Sequence, residues 1–378
     1  MSEAHVVHGG PDGGLQITWD FSTNANPLPQ PAVLTEAIRA ADRRRYPDPH
    51  YTALRTHLAG QWACDPQAIH PTAGSAEGIR RLTLAARLHG VQTVWVPEPG
   101  YGDYRAAAQA LGLSVEAWRD EAGLRALLQQ HHRAPMPVLC WLCEPNNPTG
   151  RHLSPACWQM LGEALDAAGQ LVVALDLAYA PLVLQPTGDG VGAPLTLLDR
   201  CWRLWSPNKA LGLTGVRAGA MQAPLSPPDR AARDAAGWEG AVAALAPSWV
   251  LSAEGVALLM AWHTAPVQDW LSAARHTLAA WAVAQRAMLA SLDWHGEPSA
   301  TPFFLAAPPW VPRVGEAAPH AVARSRALDQ TLRLHGIRLR DAGSLGRPGW
   351  FRLSVQAPEA QRALHAALST THTQEGRA

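Results

Sequence analysis

The sequence predicts an α/β protein: a three-layer α/β/α large domain around a mostly parallel sheet, followed by a smaller α+β domain. Short apolar runs alternate with longer helical patterns through about the first 225 of the 378 residues, which is typical of a sheet covered by helices on both faces. Apolar residues make up 47% of the chain and charged residues 16%, which suits a large buried core. Beyond this region, long Ala/Leu/Trp-rich helical stretches replace the alternation.

Five apolar runs predict the strands of the large sheet. They are TVWVP at 93–97, PVLCWLC at 137–143, LVVALD at 171–176, RLWS at 203–206 and RAGAMQ at 217–222. Helical patterns fall between them at 76–88, 101–111 and 154–168. The last begins at Ser154, with Pro155 in the first helical position, where its missing N–H costs nothing. Ligands of parallel sheets bind at the carboxyl ends of the strands, so we expect the functional residues there.

The C-terminal third predicts the smaller domain. Helical stretches run through about 247–292, possible strands follow at 302–306, 337–341 and 350–355, and a final helix occupies 357–368. We therefore expect an N-terminal arm over residues 1–30, a large domain over 31–245 and a small domain over 246–378.

Composition excludes several classes of function. The formal net charge is zero and the isoelectric point is about 7.3, so nothing favours a nucleic-acid partner. No signal-peptide run and no apolar stretch long enough to cross a bilayer is visible, so we expect no membrane partner. Five scattered cysteines predict a reducing cytoplasm rather than a disulfide framework. The sixteen histidines include no HExxH or paired ligand spacing, so no metal site is predicted.

Lys209 is the only lysine among the 31 lysine and arginine residues. Arginine can supply salt bridges and phosphate contacts, but it cannot lose its proton and attack a carbonyl group. A lysine amine can, so Lys209 is a candidate for a lysine that forms an imine. The alternative is a leftover in an arginine-rich composition, and the surrounding residues have to decide.

Four motifs fall at predicted strand ends. In TAGSAEG (72–78) the start of a helix could receive a phosphate, although a Gly–Ser pair is also a routine helix cap. In EPNNPTG (144–150) Asn147 precedes a proline and is restricted to an extended conformation, which presents its amide from a turn.

The other two motifs surround a carboxylate and the lysine. Asp176 ends an apolar strand, and a buried carboxylate there needs a cationic partner such as a protonated ring nitrogen; a helix cap or a loop carboxylate is the alternative. Ser206 and Arg217 flank Lys209 in SPNKALGLTGVRAG (206–219), where both could hold one phosphate.

In this order and spacing, NPTG, the strand-end Asp and S-x-x-K…G-x-R resemble the fold-type I pyridoxal-phosphate enzymes of the class I/II aminotransferase family, over about residues 20–365. The resemblance implies an enzyme with an aspartate-aminotransferase-like fold and pyridoxal 5′-phosphate bound covalently to Lys209. Its other implied catalytic residues are Asp176, Tyr179 and Asn147. The implied cofactor-binding residues are Gly74, Ser75, Ala76, Tyr101, Asn147, Asp176, Tyr179, Ser206, Lys209 and Arg217, joined by Tyr46, which would reach the partner's site in a homodimer.

Three positions depart from the family pattern. Asn208 stands where Ser or Thr is usual beside the lysine, Ala220 where an aromatic residue is common, and Leu177 where an acidic residue often follows the strand-end Asp. None of them removes an implied catalytic group.

The N-terminus points to one branch of the family. HGG at 8–10 followed by DFSTNANPLP at 20–29 resembles the L-threonine-O-3-phosphate decarboxylases of cobalamin biosynthesis, although Pro29 stands where glycine is frequent. That resemblance implies a small phosphorylated amino acid or amine as substrate. Its implied contacts are His8, Gly9, Asn24 and Asn147, with Arg340 on the phosphate and Arg352 on the carboxylate.

Two alternatives remain open. One is an aminotransferase of the histidinol-phosphate type, or one for another amino-acid substrate, that uses 2-oxoglutarate and glutamate. Both reactions begin alike, and the bond at Cα that lies perpendicular to the cofactor ring decides which follows. The other is a non-catalytic protein of the same fold, against which the intact set of Lys209, Asp176, Asn147 and Arg352 argues.

Overall fold

The computed structural model of the protein describes residues 8–167, 170–186, 190–225 and 237–375. Its strands are β1 (Trp19–Asp20), β2 (Ile69–Thr72), β3 (Thr93–Pro97), β4 (Ser114–Trp118), β5 (Val138–Cys143), β6 (Leu171–Asp176), β7 (Trp202–Trp205), β8 (Gly219–Gln222), β9 (His295–Gly296), β10 (Phe303–Ala307), β11 (Ile337–Arg338), β12 (Arg340–Asp341) and β13 (Phe351–Ser354). The α-helices in the described residues are α1 (Ala32–Arg39), α2 (Thr52–Trp62), α3 (Ser75–Leu88), α4 (Gly102–Ala110), α5 (Glu121–Arg133), α6 (Pro155–Ala167), α7 (Leu195–Leu198), α8 (Trp238–Ala244), α9 (Ala253–Trp262), α10 (Ala265–Ala290), α11 (Pro319–Leu334) and α12 (Pro358–Glu375).

Seven strands form the large sheet, in the order β2-β8-β7-β6-β5-β3-β4. Strands β4, β3, β5, β6 and β7 pair in parallel, whereas β8 runs antiparallel to both β7 and β2. The five predicted strands are all present, and the predicted α/β class with a mostly parallel sheet is confirmed. The two strands of this sheet that the sequence did not predict, β2 and β4, are its edges. Edge positions tolerate residues such as Pro71 in β2 and exposed Ser114 in β4, which weaken the strand signal.

The three predicted helices of the large sheet region are α3, α4 and α6. The capping prediction holds for α6, because the Ser154 hydroxyl oxygen accepts a hydrogen bond from the Cys157 backbone N–H at 3.2 Å. The long helical region predicted at 247–292 consists of two helices, α9 and α10. The final helix, α12, extends further than the predicted 357–368.

A second, antiparallel sheet has the order β12-β13-β10-β9. The sequence predicted one strand over 337–341, but the chain forms two short strands there, because each pairs with a different neighbour. Strand β11 joins β1 of the N-terminal arm in parallel, and β12 joins β13. In the β12–β13 pair, Arg340 lies directly opposite Arg352.

The described part of the N-terminal arm is held against this second sheet. The Phe21 backbone N–H donates to the Arg338 carbonyl at 2.9 Å, and its carbonyl accepts from the Ser354 N–H at 2.8 Å. The Asp12 carboxylate contacts Arg333 Nη1 at 2.6 Å and Arg338 Nη2 at 3.1 Å.

No helix in residues 8–167, 170–186, 190–225 or 237–375 is long and apolar enough to cross a membrane. Buried aromatic and aliphatic side chains instead fill both faces of the large sheet, with Trp141 in one cluster and Trp158 in the other.

Candidate active site

The predicted functional residues meet at the carboxyl edge of the large sheet. Strand β6 ends at Asp176, the loop after β5 carries Asn147, and the loop after β7 carries Ser206 and Lys209. Helix α3 begins immediately after the Gly74 turn that follows β2. Parallel strands end at one edge, so four segments that are far apart in the chain surround one space.

Lys209 lines two adjoining cavities, which we call inner and outer. The inner cavity, of about 60 Å³, is lined by nine of the predicted residues: Ser75, Ala76, Tyr101, Asn147, Asp176, Tyr179, Ser206, Lys209 and Arg217. The outer cavity, of about 280 Å³, is lined by every predicted substrate residue: His8, Gly9, Asn24, Asn147, Arg340 and Arg352. Both cavities also share Tyr101 and Tyr179 as walls.

The amine of Lys209 is prepared for attack on a carbonyl group. Burial and, to a smaller extent, the positive charges of Arg352 and Arg217 together lower its pKa to about 8, against the raising effect of Asp176. Its Nζ atom lies 5.9 Å from the centre of the Tyr179 ring. At neutral pH the reactive, unprotonated form of this amine is therefore far more abundant than in an ordinary lysine with its pKa near 10.5.

Asp176 is a buried carboxylate, 3% exposed, at the floor of the inner cavity. It accepts hydrogen bonds from Tyr104 Oη at 2.9 Å, the Ala178 N–H at 3.1 Å and Ser75 Oγ at 3.5 Å. Burial nevertheless raises its pKa to about 6, since these donors offset only part of the desolvation cost. A protonated ring nitrogen in the cavity would supply the missing positive charge.

Tyr104 is a part of the site that the sequence analysis missed. Its ring is fully buried and stacks on Trp141, with 5.3 Å between ring centres, and its hydroxyl holds Asp176. The usable signal was its position in α4, three residues after Tyr101, which caps the start of that helix and whose ring centre lies 5.7 Å from that of Tyr104.

The opposite end of the inner cavity is shaped to take a phosphate. Gly74 has a φ of 83°, and a Cβ atom there would lie 2.5 Å from Arg217 Nη2, so the guanidinium occupies the space that any side chain would fill. Backbone amides at the start of α3 and the buried Ser206 hydroxyl complete the surface. The cavity thus offers an anion cradle, a buried carboxylate and a reactive amine, which together fit pyridoxal 5′-phosphate.

Asn208, one of the departures from the family pattern, also lines the inner cavity. It is 3% exposed, and its Oδ1 atom accepts a hydrogen bond from Ser206 Oγ at 3.0 Å. This residue therefore orients the serine hydroxyl that faces the anion cradle.

Two buried arginines define the outer cavity. Arg352 donates from Nη1 to Asn147 Oδ1 at 2.7 Å and from Nη2 to the Ser22 carbonyl at 2.6 Å, while its buried Nε has no hydrogen-bond partner in the structure. Arg340 donates from Nη2 to Ser344 Oγ at 2.6 Å. Ser344, Thr23 and Arg105 also line this cavity and were not among the predicted residues.

Asn24 and Gly9 connect the arm to the site. Asn24 Nδ2 lies 3.5 Å from Tyr179 Oη, and its Oδ1 is buried without a hydrogen-bond partner among the residues that the structure describes. A Cβ atom on Gly9 would lie 2.1 Å from the Ser22 carbonyl oxygen, so only glycine allows the arm to pass this close.

Two predicted site residues line neither cavity: Gly74, which adjoins Arg217, and Tyr46. The Tyr46 side chain is 76% exposed and stacks on Trp249, with 4.2 Å between ring centres.

Comparison with known proteins agrees with the resemblance seen in the motifs around Lys209. The profile of the family described as aminotransferase class I and II matches residues 17–368. The chain is 32% identical to histidinol-phosphate aminotransferase of Frankia casuarinae over 232 residues, which is 55% of this chain and 56% of that protein. It is 33% identical to that of Synechococcus sp. (strain JA-2-3B'a(2-13)) over 169 residues, 42% of this chain and 47% of that protein. The chain thus spans about half the length of these curated relatives.

Two solved structures share the fold. L-threonine-O-3-phosphate decarboxylase from Porphyromonas gingivalis superposes with a TM-score of 0.70 at 21% identity, covering 90% of this chain and 95% of that one. Histidinol-phosphate aminotransferase from Sinorhizobium meliloti in complex with pyridoxal-5'-phosphate superposes with a TM-score of 0.75 at 22% identity, covering 93% and 90%.

Proposed function

Because the chain belongs to the aminotransferase class I and II family and is a pyridoxal-phosphate enzyme, we propose that it decarboxylates a small phosphorylated amino acid of the O-phospho-L-threonine type. One observation carries this proposal. Arg340 and Arg352 lie directly opposite each other in the β12–β13 pair, and both line the outer cavity. The product of such a reaction, aminopropanol phosphate, would serve cobalamin biosynthesis.

The arginine pair concentrates positive charge beside the outer cavity. Directly opposed like charges destabilise a sheet, and both side chains are nearly buried, at 5% and 6% exposure. Burial and the neighbouring charge of Arg352 lower the pKa of Arg340 to about 10, and burial also lowers the pKa of Arg352. A substrate that carries two anionic groups a few ångströms apart would neutralise both, as a phosphorylated amino acid does.

The dimensions of the outer cavity favour a compact substrate. Its volume of about 280 Å³ lies at the lower end of the usual range for small-molecule sites. Arg352 is the arginine nearer the catalytic groups, since it contacts Asn147, so we assign it to the carboxylate and assign Arg340 to the phosphate.

The side chains of the site have separable tasks in this reaction. Bound pyridoxal phosphate supplies an electron sink for the bond that breaks at the substrate Cα. Arg352 and Arg340 hold the two ends of the substrate and thereby set the rotation about the Cα–N bond. Asp176 would hold the ring nitrogen of the cofactor protonated, and Tyr179 and Asn147 would donate hydrogen bonds to its ring oxygen. The Nζ of Lys209 would hold the proton that the substrate Cα receives.

A second candidate is an aminotransferase of the histidinol-phosphate type. It is favoured by the names of the curated relatives at 32–33% identity. Arg340 would then hold the phosphate of the amine, and Arg352 the carboxylate of the glutamate or 2-oxoglutarate partner.

One assay separates the two candidates. Purified enzyme loaded with the cofactor is incubated with O-phospho-L-threonine or with histidinol phosphate, each with and without 2-oxoglutarate. The decarboxylase proposal requires CO₂ release from phosphothreonine that does not depend on 2-oxoglutarate. Glutamate formation from 2-oxoglutarate, with no CO₂ release, would refute the decarboxylase proposal and support the aminotransferase candidate.

We also propose an oligomeric state, domain bounds and a cellular location for this protein. We propose a homodimer in which the exposed Tyr46 reaches the cofactor phosphate of the partner subunit, which sedimentation of the purified protein and cofactor affinity of Tyr46→Phe would test. We keep the arm, large domain and small domain at 1–30, 31–245 and 246–378. Since the five cysteines form no disulfide, we propose a reducing, cytoplasmic location.

A further inference from the structure

A buried carboxylate lies behind the wall of the outer cavity. Asp103, in the first turn of α4, is 3% exposed and does not line the cavity itself. Its Oδ1 atom lies 3.8 Å from Nε2 of His8, the first residue of the described arm. The His8 side chain is 50% exposed and lines the cavity.

His8 and Tyr101 both face this carboxylate. Their ring centres are 5.9 Å apart, so Asp103, His8 and Tyr101 form one cluster that spans the arm and the start of α4. Burial, followed by the negative charge of Asp103, raises the pKa of the Tyr101 hydroxyl, which therefore stays neutral at all ordinary pH values. Among the described residues, Asp103 therefore has two partners at the cavity wall: the neutral Tyr101 hydroxyl, as a hydrogen-bond donor, and the His8 imidazole.

A carboxylate is costly to bury unless it is paired. Its place in the first turn of α4 offsets part of the cost through the helix dipole, and a contact with His8 offsets more. The same contact fixes the arm: Gly10 donates its N–H to Ser22 Oγ at 2.9 Å, and His8 two residues earlier reaches α4. The imidazole is thereby held at the rim of the cavity.

We propose that Asp103 is a positioning residue that holds His8 over the outer cavity and so completes the subsite for the substrate phosphate. This inference rests on the proposed function, which places a phosphate beside Arg340. Asp103 acts through His8, because the carboxylate itself has no access to the cavity.

The direction in which Asp103→Asn changes the affinity for phosphate distinguishes a positioning role from a purely electrostatic one. A negative charge near an anion site weakens anion binding, so if Asp103 acted only by its charge, Asp103→Asn would tighten phosphate binding. If Asp103 positions His8, the same substitution weakens it.

The experiment measures binding of inorganic phosphate to the cofactor-loaded enzyme by isothermal titration calorimetry. Bound cofactor fills the inner anion cradle, so added phosphate reports on the outer cavity. We expect Asp103→Asn and His8→Gln each to weaken binding about five- to tenfold, and the double variant to bind no more weakly than His8→Gln alone. Asp120→Asn is the matched control, because it removes an exposed carboxylate that caps α5 without contacting His8; its phosphate affinity should match that of the unsubstituted enzyme.

Tighter binding by Asp103→Asn, or additive losses in the double variant, would overturn the inference. If Asp103→Asn does not fold, Asp103→Ser replaces it in the same comparison of single and double variants. Absence of phosphate binding to the unsubstituted holoenzyme would overturn both this inference and the phosphate subsite of the proposed function. A coupled His8–Asp103 pair in an enzyme that releases no CO₂ from phosphothreonine would leave the inference standing and remove the decarboxylase proposal alone.

Discussion

Substitution of Arg340 by glutamine tests the assignment of the two buried arginines most directly. Arg340 lies opposite Arg352 in the β12–β13 pair, and its guanidinium donates to Ser344 Oγ at 2.6 Å and to the Asp341 carbonyl at 2.5 Å. Glutamine keeps a hydrogen-bonding group in this position but removes the charge. The substitution should therefore weaken binding of a phosphorylated ligand and leave the rest of the site in place.

The magnitude follows from the kind of contact that is lost. A hydrogen bond to a charged group contributes about 1.5–3 kcal/mol, which corresponds to a roughly 10- to 150-fold change in dissociation constant. The low exposure of Arg340, 5%, places the expected value within this range rather than near the weak limit of surface ion pairs.

The assay compares matched ligands with and without the phosphate. Dissociation constants for O-phospho-L-threonine and L-threonine, or for histidinol phosphate and histidinol, are read from changes in cofactor absorbance. Arg340→Gln should weaken only the phosphorylated member of each pair. Arg352→Gln should weaken both threonine ligands, because both carry the carboxylate.

Arg347→Gln is the control for nonspecific loss of charge. Arg347 is near in sequence but pairs with Glu297 at 2.6 Å and does not line the outer cavity, so neither ligand should be affected. Equal weakening of phosphorylated and unphosphorylated ligands by Arg340→Gln would refute the assignment of this arginine to the phosphate.

The remaining predictions concern the inner cavity. Lys209→Ala should abolish turnover and leave no cofactor adduct in mass spectra after borohydride reduction; an adduct on another residue would contradict the assignment. Tyr104→Phe removes the 2.9 Å hydrogen bond to Asp176 and should weaken cofactor binding about 3- to 10-fold, measured by fluorescence titration; unchanged affinity would dismiss its role. Gly74→Ala places a Cβ atom 2.5 Å from Arg217 Nη2 and should weaken binding of pyridoxal phosphate but not of pyridoxal. Burial raises the pKa of Asp176 from 3.8 to about 6, so between these pH values the folded apo-protein keeps a proton that the unfolded chain has lost. The free energy of unfolding should therefore fall by about 3 kcal/mol as the pH rises from 4 to above 6. Chemical denaturation of Asp176→Asn should lack that decrease.

Local sequence patterns were sufficient for the central strands of the large sheet. Strands β5 and β6 are buried on both faces, so each is an uninterrupted apolar run. The edge strand β4 is partly exposed, and β2, although buried, includes His70, Pro71 and Thr72 among its four residues, so neither strand is an uninterrupted apolar run. The division of 337–341 into two strands was also invisible, because it depends on which neighbour each half pairs with.

The sequence by itself determined the chemistry of the inner cavity: one lysine, a strand-end carboxylate and a glycine–serine turn, each tied to a local motif whose backbone conformation places it at a strand end. Only the tertiary structure decided how Arg340 faces Arg352, how Tyr104 reaches Asp176 and how Asp103 meets His8. Each of those contacts joins separate elements, and its geometry is set by strand register and by the path of the arm, which depend on packing of the whole chain rather than on any short stretch of it.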